Sequence, residues 1–266
     1  MKSRLLILVA STIALAGCQS DDTTGPSSDN GLDLSALISE IGMGSGGVAG
    51  VMAANGYPVN TAPPLVPSTC QYSASTQGFT CATITSSGLT INASYFLLDA
   101  AGHFQSQPDP ATTAALRTVT DISGTTSLDR SGTAGSMTIM QHQDMTLSGL
   151  LTGAHMLNGT STLHSDLTLT APGAMHMVVD QTSVTANVTL PKAGSASPWP
   201  TSGTVTSDGT TVTESGSQSL ASTTHSVLTF AGSGTVTVAS TITTGGVPFT
   251  ITCTINLAGA SAPVCQ

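Results

Sequence analysis

The side chains able to do chemistry in this sequence are few. Six histidines stand out: His103, His142, His155, His164, His176 and His225. Several fall in neighbouring predicted strands, so metal binding is the first chemistry to consider. If the middle strands pair as neighbours, His142 and His164 become diagonal neighbours on one face, with Asp144 and Asp166 close by. These four are the candidate metal ligands. His176 pairs near Leu169, further along the strand, and His155 lies at the far end. A transition metal wants three or four converging ligands, held by a second shell. Two histidines and a carboxylate fall short, so the expectation is an exposed polar sheet face with no bound metal. Nucleophilic chemistry has no better footing. There is no Gly-x-Ser-x-Gly elbow, and the acids are scattered singly, without an obvious pair for glycoside hydrolysis. Gly42, Gly44 and Gly47 match dinucleotide-loop spacing, but such a loop must follow a strand and open a helix. Here the glycines follow a predicted helix and lead into prolines, which reads as a hinge. No catalytic residue and no cofactor are expected. A hydrolase or metal enzyme using His142 and His164 is the alternative.

The five cysteines carry more information. Lys2 and Arg4 precede an apolar run from Leu5 to Leu15, then the small residues Ala16 and Gly17, then Cys18. A positive start, a short apolar stretch and a small-residue cleavage site build a secretory signal, too short to span a membrane. Leu15-Ala16-Gly17-Cys18 resembles the lipobox of bacterial lipoproteins. The resemblance covers residues 1–18 and nothing beyond. It implies a diacylglycerol thioether on Cys18, cleavage before that residue and acylation of the new amine. Gln19 stands where, by the same resemblance, an Asp would retain the protein in the inner membrane, so the outer membrane is expected. Two acyl chains suffice for stable attachment.

Cys70, Cys81, Cys253 and Cys265 remain, an even number in an exported chain. Three pairings are open. Cys70–Cys81 and Cys253–Cys265 are favoured, because each pair brackets a stretch able to fold back as a hairpin. Opposed strand positions lie within disulfide reach. Neither pair has the Cys-x-x-Cys spacing of a zinc site.

Charged residues make up only 7% of the chain, against about a quarter in an ordinary soluble protein. Ser, Thr, Gly and Ala take their place. Val, Ile, Leu and Thr alternate over long stretches, which reads as ordered β structure rather than disorder. The formal net charge is −9, and removal of Lys2 and Arg4 would leave Arg117, Arg130 and Lys192 as the permanent cations. A phosphate backbone or an anionic lipid surface demands clustered Lys and Arg. Nucleic acid is therefore excluded as a partner, and membrane contact is assigned to the acyl chains on Cys18. An apolar ligand or another envelope protein is the expected partner. Met137, Met140, Met145, Met156, Met175 and Met177 cluster in the middle strands. Methionine adapts to irregular apolar guests, and it also simply fills cores. Trp199, between Pro198 and Pro200, either anchors a partner or covers a sheet edge. Three Asn-x-Ser/Thr sites, at Asn92, Asn158 and Asn187, carry no weight in a bacterial lipoprotein.

These readings divide the chain into a signal (1–17), a lipidated Cys with a flexible tether (18–31), a short helical and Gly/Pro-rich segment (32–67) and a β domain (68–266). In the third segment Asp33 can cap a helix carrying Leu34, Leu37, Ile38 and Ile41. In the fourth, strands are predicted at Leu89–Leu98, Ala115–Leu128, Ser136–Leu151, His155–Thr170 and Met175–Leu190. Gly203–Ser207, Thr210–Thr213, Gln218–Phe230, Thr235–Ile242 and Phe249–Leu257 follow. Neighbour pairing puts Ile139, Met145 and Leu147 on one face with Leu157, Leu163 and Leu167. A turn at Pro172-Gly173 then sets Val178, Val184 and Val188 opposite Leu167, Ser161 and Leu157. One apolar face runs across three strands, as a half-buried meander requires. The fold class is all-β: a long-stranded antiparallel meander in one twisted or partly closed sheet, after a short N-terminal helix. Tandem immunoglobulin-like sandwiches are the alternative. Aromatics at 3% are too few for the girdles of a membrane barrel. The expected role is a lipid-anchored, non-enzymatic binding or structural module of the cell envelope, with an adhesin-like surface protein as a further alternative.

Overall fold

The computed structural model describes residues 66–130, 133–171, 174–191, 199–256 and 264–266. The signal, the tether and the predicted N-terminal helix lie outside the described residues. Fourteen strands form one antiparallel sheet. Five are short and N-terminal: β1 (Cys70–Ser73), β2 (Gly78–Cys81), β3 (Ile84–Ser86), β4 (Leu89–Leu98) and β5 (Phe104–Gln105). Four long strands follow: β6 (Ala115–Arg130), β7 (Thr133–Ser148), β8 (Met156–Ala171) and β9 (Met175–Thr189). The rest are β10 (Ser202–Ser215), β11 (Gln218–Thr229), β12 (Thr235–Thr244), β13 (Val247–Asn256) and β14 (Val264–Cys265). The spatial order is β1-β2-β4-β6-β7-β8-β9-β10-β11-β12-β13-β14, with β3 and β5 also paired to β4. It is a meander in one open sheet, so the tandem-sandwich alternative does not hold.

Tight turns carry the meander where the sequence allows them. Gly245 and Gly246, at φ 58° and 82°, join Thr244 to its partner Val247. A two-residue hairpin turn with positive φ at both positions is natural for Gly-Gly. The sequence reading split β10 in two, ending one strand at Ser207 and starting the next at Thr210. Instead Gly209 pairs with Gln181 on one side and Thr224 on the other, in mid-ladder. Glycine inside a strand is tolerated when both neighbouring strands satisfy its backbone.

Alternation decides what is buried. Along β7, Met137, Ile139, Gln141, Gln143, Met145 and Leu147 are buried, while the residues between them face outward. Of three apolar clusters among the described residues, two draw on β7, β8 and β9 together. One joins Leu89, Met137, Ile139, Leu163, Leu167, Leu169, Met177 and Val179. The other joins Met145, Leu147, Leu157, Val188, Leu190, Val205, Phe230 and Val236. A polar belt separates them. Gln143, Ser161, Ser183, Ser207, Ser226 and Ser240 occupy one cross-strand row. Ser183 and Ser207 share a hydrogen bond of 2.8 Å, and Ser226 and Ser240 one of 2.7 Å. Pairing serine with serine is what lets these hydroxyls lie among apolar neighbours.

The β7–β8 register agrees with the parity reading: Leu147 faces Leu157 and Met145 faces Gly159. The β8–β9 register is one residue off the expectation. Leu167 pairs with Met177, not Val178, and Ser161 pairs with Ser183, not Val184. A one-residue slip exchanges the two faces of a strand. Met177 and Val179 therefore fill the core, and Val184 is half-exposed on the other side. Val188 still reaches the core opposite Leu157, because a bulge shifts the register between Leu157 and Gly159. Asn187 sits there at φ 53° and donates its backbone N–H to Asn158 Oδ1 at 2.7 Å. Asn tolerates this left-handed conformation better than most residues.

Both predicted disulfides are present, Cys70–Cys81 and Cys253–Cys265. Each joins directly opposed residues, in β1–β2 and β13–β14. They clamp the two outermost strands of the sheet order. Edge strands are where a sheet is open to pairing with other chains, and short edges limit that exposure. β1 has four residues and β14 two.

Two predictions follow from the packing. A Cβ at position 159 would meet the backbone oxygen of Asp144 at 2.3 Å. Gly159→Ala is expected to destabilise the sheet by about 1–3 kcal/mol, an overpacking cost, read from chemical denaturation. Replacing Cys70 and Cys81 together by Ala is expected to cost about 2–3 kcal/mol in the same measurement, the amount typical of short closed loops.

Candidate functional site

The face opposite the core holds the polar chemistry. Two parallel rows cross the strands there. The first runs through Asp121, His142, Thr162, Thr182, Asp208, His225 and Thr241, one residue per strand from β6 to β12. The second, two residues along, runs through Ser123, Met140, His164, Asp180, Thr210, Thr223 and Thr243. Together they line a shallow trough of about 880 Å³. Its lining contains three carboxylates, three imidazoles and no lysine or arginine.

Each imidazole in the trough is held by a carboxylate on an adjacent strand. His142 Nδ1 lies 2.7 Å from Asp121 Oδ1, and His164 Nδ1 lies 2.7 Å from Asp180 Oδ1. His225 Nδ1 lies 2.7 Å from Asp208 Oδ1. Further along, His176 Nε2 lies 3.0 Å from Asp166 Oδ1, and its Nδ1 lies 3.3 Å from Glu214 Oε2. The hydrogen bonds to Glu214, then to Asp166, raise the His176 pKa above its ordinary value. Asp144 takes the other route. Arg117 donates to it through Nε at 2.7 Å and also through Nη2. These hydrogen bonds hold the Asp144 carboxyl below its usual range and lift the guanidinium above its own. The Arg117 head also stacks over Phe96, 5.5 Å from the ring centre.

The four candidate metal ligands are thus brought to one face but not to one point. The Nδ1 contact of His142 is with Asp121 on β6, and that of His164 is with Asp180 on β9. The two ring contacts therefore point to opposite flanks of the β7–β8 pair. Asp144 is committed to Arg117, and Asp166 to His176. Among the described residues no group of three or more His, Cys, Asp or Glu could hold a metal ion. His103 pairs with Asp99 in the turn before β5. The backbone N–H of His103 is the main cause of a lowered Asp99 pKa.

The methionines divide between the faces. Met137, Met145 and Met177 are buried in the core clusters, Met175 packs against one, and Met140 is exposed in the trough. The described structure thus places most of them as core filling. Trp199 lies beside Gly234, where an added Cβ would come 3.1 Å from the indole nitrogen. The indole thus sits against the segment entering β12. Cys18 and the Gly42–Gly47 stretch lie outside the described residues.

The partners Asp121, Asp180, Asp208 and Glu214 were not legible as such. A signal existed. His142-Gln143-Asp144-Met145-Thr146-Leu147 and His164-Ser165-Asp166-Leu167-Thr168-Leu169 repeat one pattern, and His225-Ser226-Val227-Leu228-Thr229-Phe230 repeats it in part. Such a recurrence marks equivalent strands, but which acid faces each histidine depends on register. Comparison of the chain with protein-family models, curated proteins and solved structures found no match.

The Arg117–Asp144 fork generates a test. Lysine supplies a point charge in place of two parallel donors. Arg117→Lys is expected to lower stability by about 0.5–1 kcal/mol at neutral pH, since the pair is partly solvated. Thermal unfolding of the two proteins at low salt measures it.

Proposed function

We propose that this protein is a lipid-anchored module of the bacterial cell envelope that presents the polar face of a broad β-sheet to a partner, without catalysis. The observation that carries the reading is cysteine arithmetic. Four of the five cysteines are consumed in two disulfides. Such bonds persist in oxidising compartments outside the cytosol. The fifth, Cys18, is the one that ends the lipobox-like Leu15-Ala16-Gly17-Cys18. The polar tether between Cys18 and the sheet then gives the body reach from a membrane surface. Gln19 favours the outer membrane where the cell has one.

Support for a binding or structural role comes from the trough. Its volume lies in the range of small-ligand sites, about 300–1,000 Å³. Its imidazoles are tied to carboxylates across strands, which fixes them as part of a structured polar surface. With no permanent cation lining it, the trough suits donor-rich partners better than phosphates.

The test is chemical. Intact-mass analysis of the protein from its native membrane is expected to show residues 1–17 removed and Cys18 acylated. Cys18→Ser is expected to abolish labelling by radioactive palmitate and to move the protein out of the membrane fraction. A free Cys18 thiol, or a retained leader, sinks the reading.

A further inference from the structure

Four histidines stitch neighbouring strands of the exposed face together through carboxylates. His142 joins β7 to β6, His164 joins β8 to β9, and His225 joins β11 to β10. His176 on β9 bridges both sides at once, to Asp166 on β8 and Glu214 on β10. A neutral imidazole carries one N–H, and a carboxylate only accepts. Both contacts of His176 are therefore satisfied together only by the imidazolium. In the other three pairs a neutral ring can donate from Nδ1, so those contacts do not require a charged ring.

Histidine is also the main reserve of positive charge. The sequence has six histidines against five Lys and Arg, and 14 Asp and Glu. Among the described side chains Arg117 is the one permanent cation, and it is committed to Asp144. Among the described side chains the carboxylates of this face have no other permanent cation to turn to.

We propose that His176 is an acid-tightened clasp on this face: as the medium drops below neutral, its ring is held as an imidazolium between Asp166 of β8 and Glu214 of β10, so these three strands are locked most firmly in mildly acidic surroundings. Of the four rings, His176 is the one hydrogen-bonded to two carboxylates. His142 faces Asp121 from β6 and Thr162 from β8, with His164 diagonal to it and Asp144 next along its own strand. His164 faces Met140 from β7 and Asp180 from β9. His225 faces Asp208 from β10 and Thr241 from β12. His176 faces Thr168 from β8, with Asp166 diagonal, and Glu214 from β10. His164 lies diagonal to His142, Arg117 is forked onto Asp144 on the strand that carries His142, and His142 and His164 contact carboxylates on opposite flanks.

The direction with pH is set by linkage. A histidine whose folded pKa is raised contributes stability that is full below its unfolded value and is lost as pH climbs through the folded one. For His176 the loss therefore begins above the ordinary value of 6.5. Asp144 works in the opposite sense. Its lowered pKa contributes stability above the ordinary 3.8, and that is lost as pH falls through the folded value. Both contributions are intact between those two values. The clasp needs no ligand and stands whatever the face binds.

Calorimetric melting of the full chain in detergent at low ionic strength tests it. The melting temperature is expected to be higher at about pH 5.5 than at about pH 8, by on the order of 1–2 °C, as suits one exposed but doubly bridged histidine. Added salt should shrink the difference. The variant H176Q should show a flatter profile over the same interval, whereas H142Q should keep the wild-type slope. A flat wild-type profile, or an H176Q variant that keeps the wild-type slope, overturns the proposal. Should H176Q fail to fold, NMR titration of His176 decides: its midpoint must fall in D166N/E214Q, and an unchanged midpoint overturns the proposal equally.

Discussion

A β-strand shows alternate side chains to opposite faces, so the backbone ladder of β6 to β12 distributes all the chemistry of this protein at a stroke. In the register observed, one parity carries Met, Ile, Leu and Val into the core. The other carries His, Asp and Thr outward. Shift β9 by one residue against β8 and both arrangements fail together. Asp180 would turn inward, His164 would lose its partner, and Val178 would replace Val179 in the core. The apolar face and the His–carboxylate contacts are two consequences of one constraint.

That constraint explains how a chain with so few charges keeps an ordered polar face. Hydrophobic burial along the ladder is the large term. Cross-strand polar pairs then act on a backbone already in place, at a spacing that suits Asp against His. Where the core itself must be polar, as in the serine row from Ser161 to Ser240, the same spacing sets hydroxyl against hydroxyl. The edges are handled differently. The ladder ends at β1 and β14, and there a covalent bond stands beside the hydrogen bonds.

The bulge at Asn187 shows a local irregularity serving the whole. Without the extra residue, β9 would present one parity along its full length, and either Val179 or Val188 would face solvent. The bulge changes parity after Thr185, so the strand fills both core clusters. Parity counting from the sequence could not place it. It assumed an unbroken strand, aligned Val188 correctly, and so misplaced Val178 and Val184.

From sequence alone came the all-β class, the span of β4, the β7–β8 register and both cystines. Each depends on local information: two-residue hydrophobic alternation, turn residues, and cysteines bracketing short hairpins. The same reading brought His142, His164, Asp144 and Asp166 to one face, since parity is local too. Only the tertiary structure decided that these four part company. Partner choice depends on which residue stands opposite on the next strand, and that is set by turns and bulges many residues away. It depends as well on long-range packing that holds one register against its neighbour one residue along. Alternation along a strand is written in the chain, whereas the match between strands is settled only when the sheet assembles.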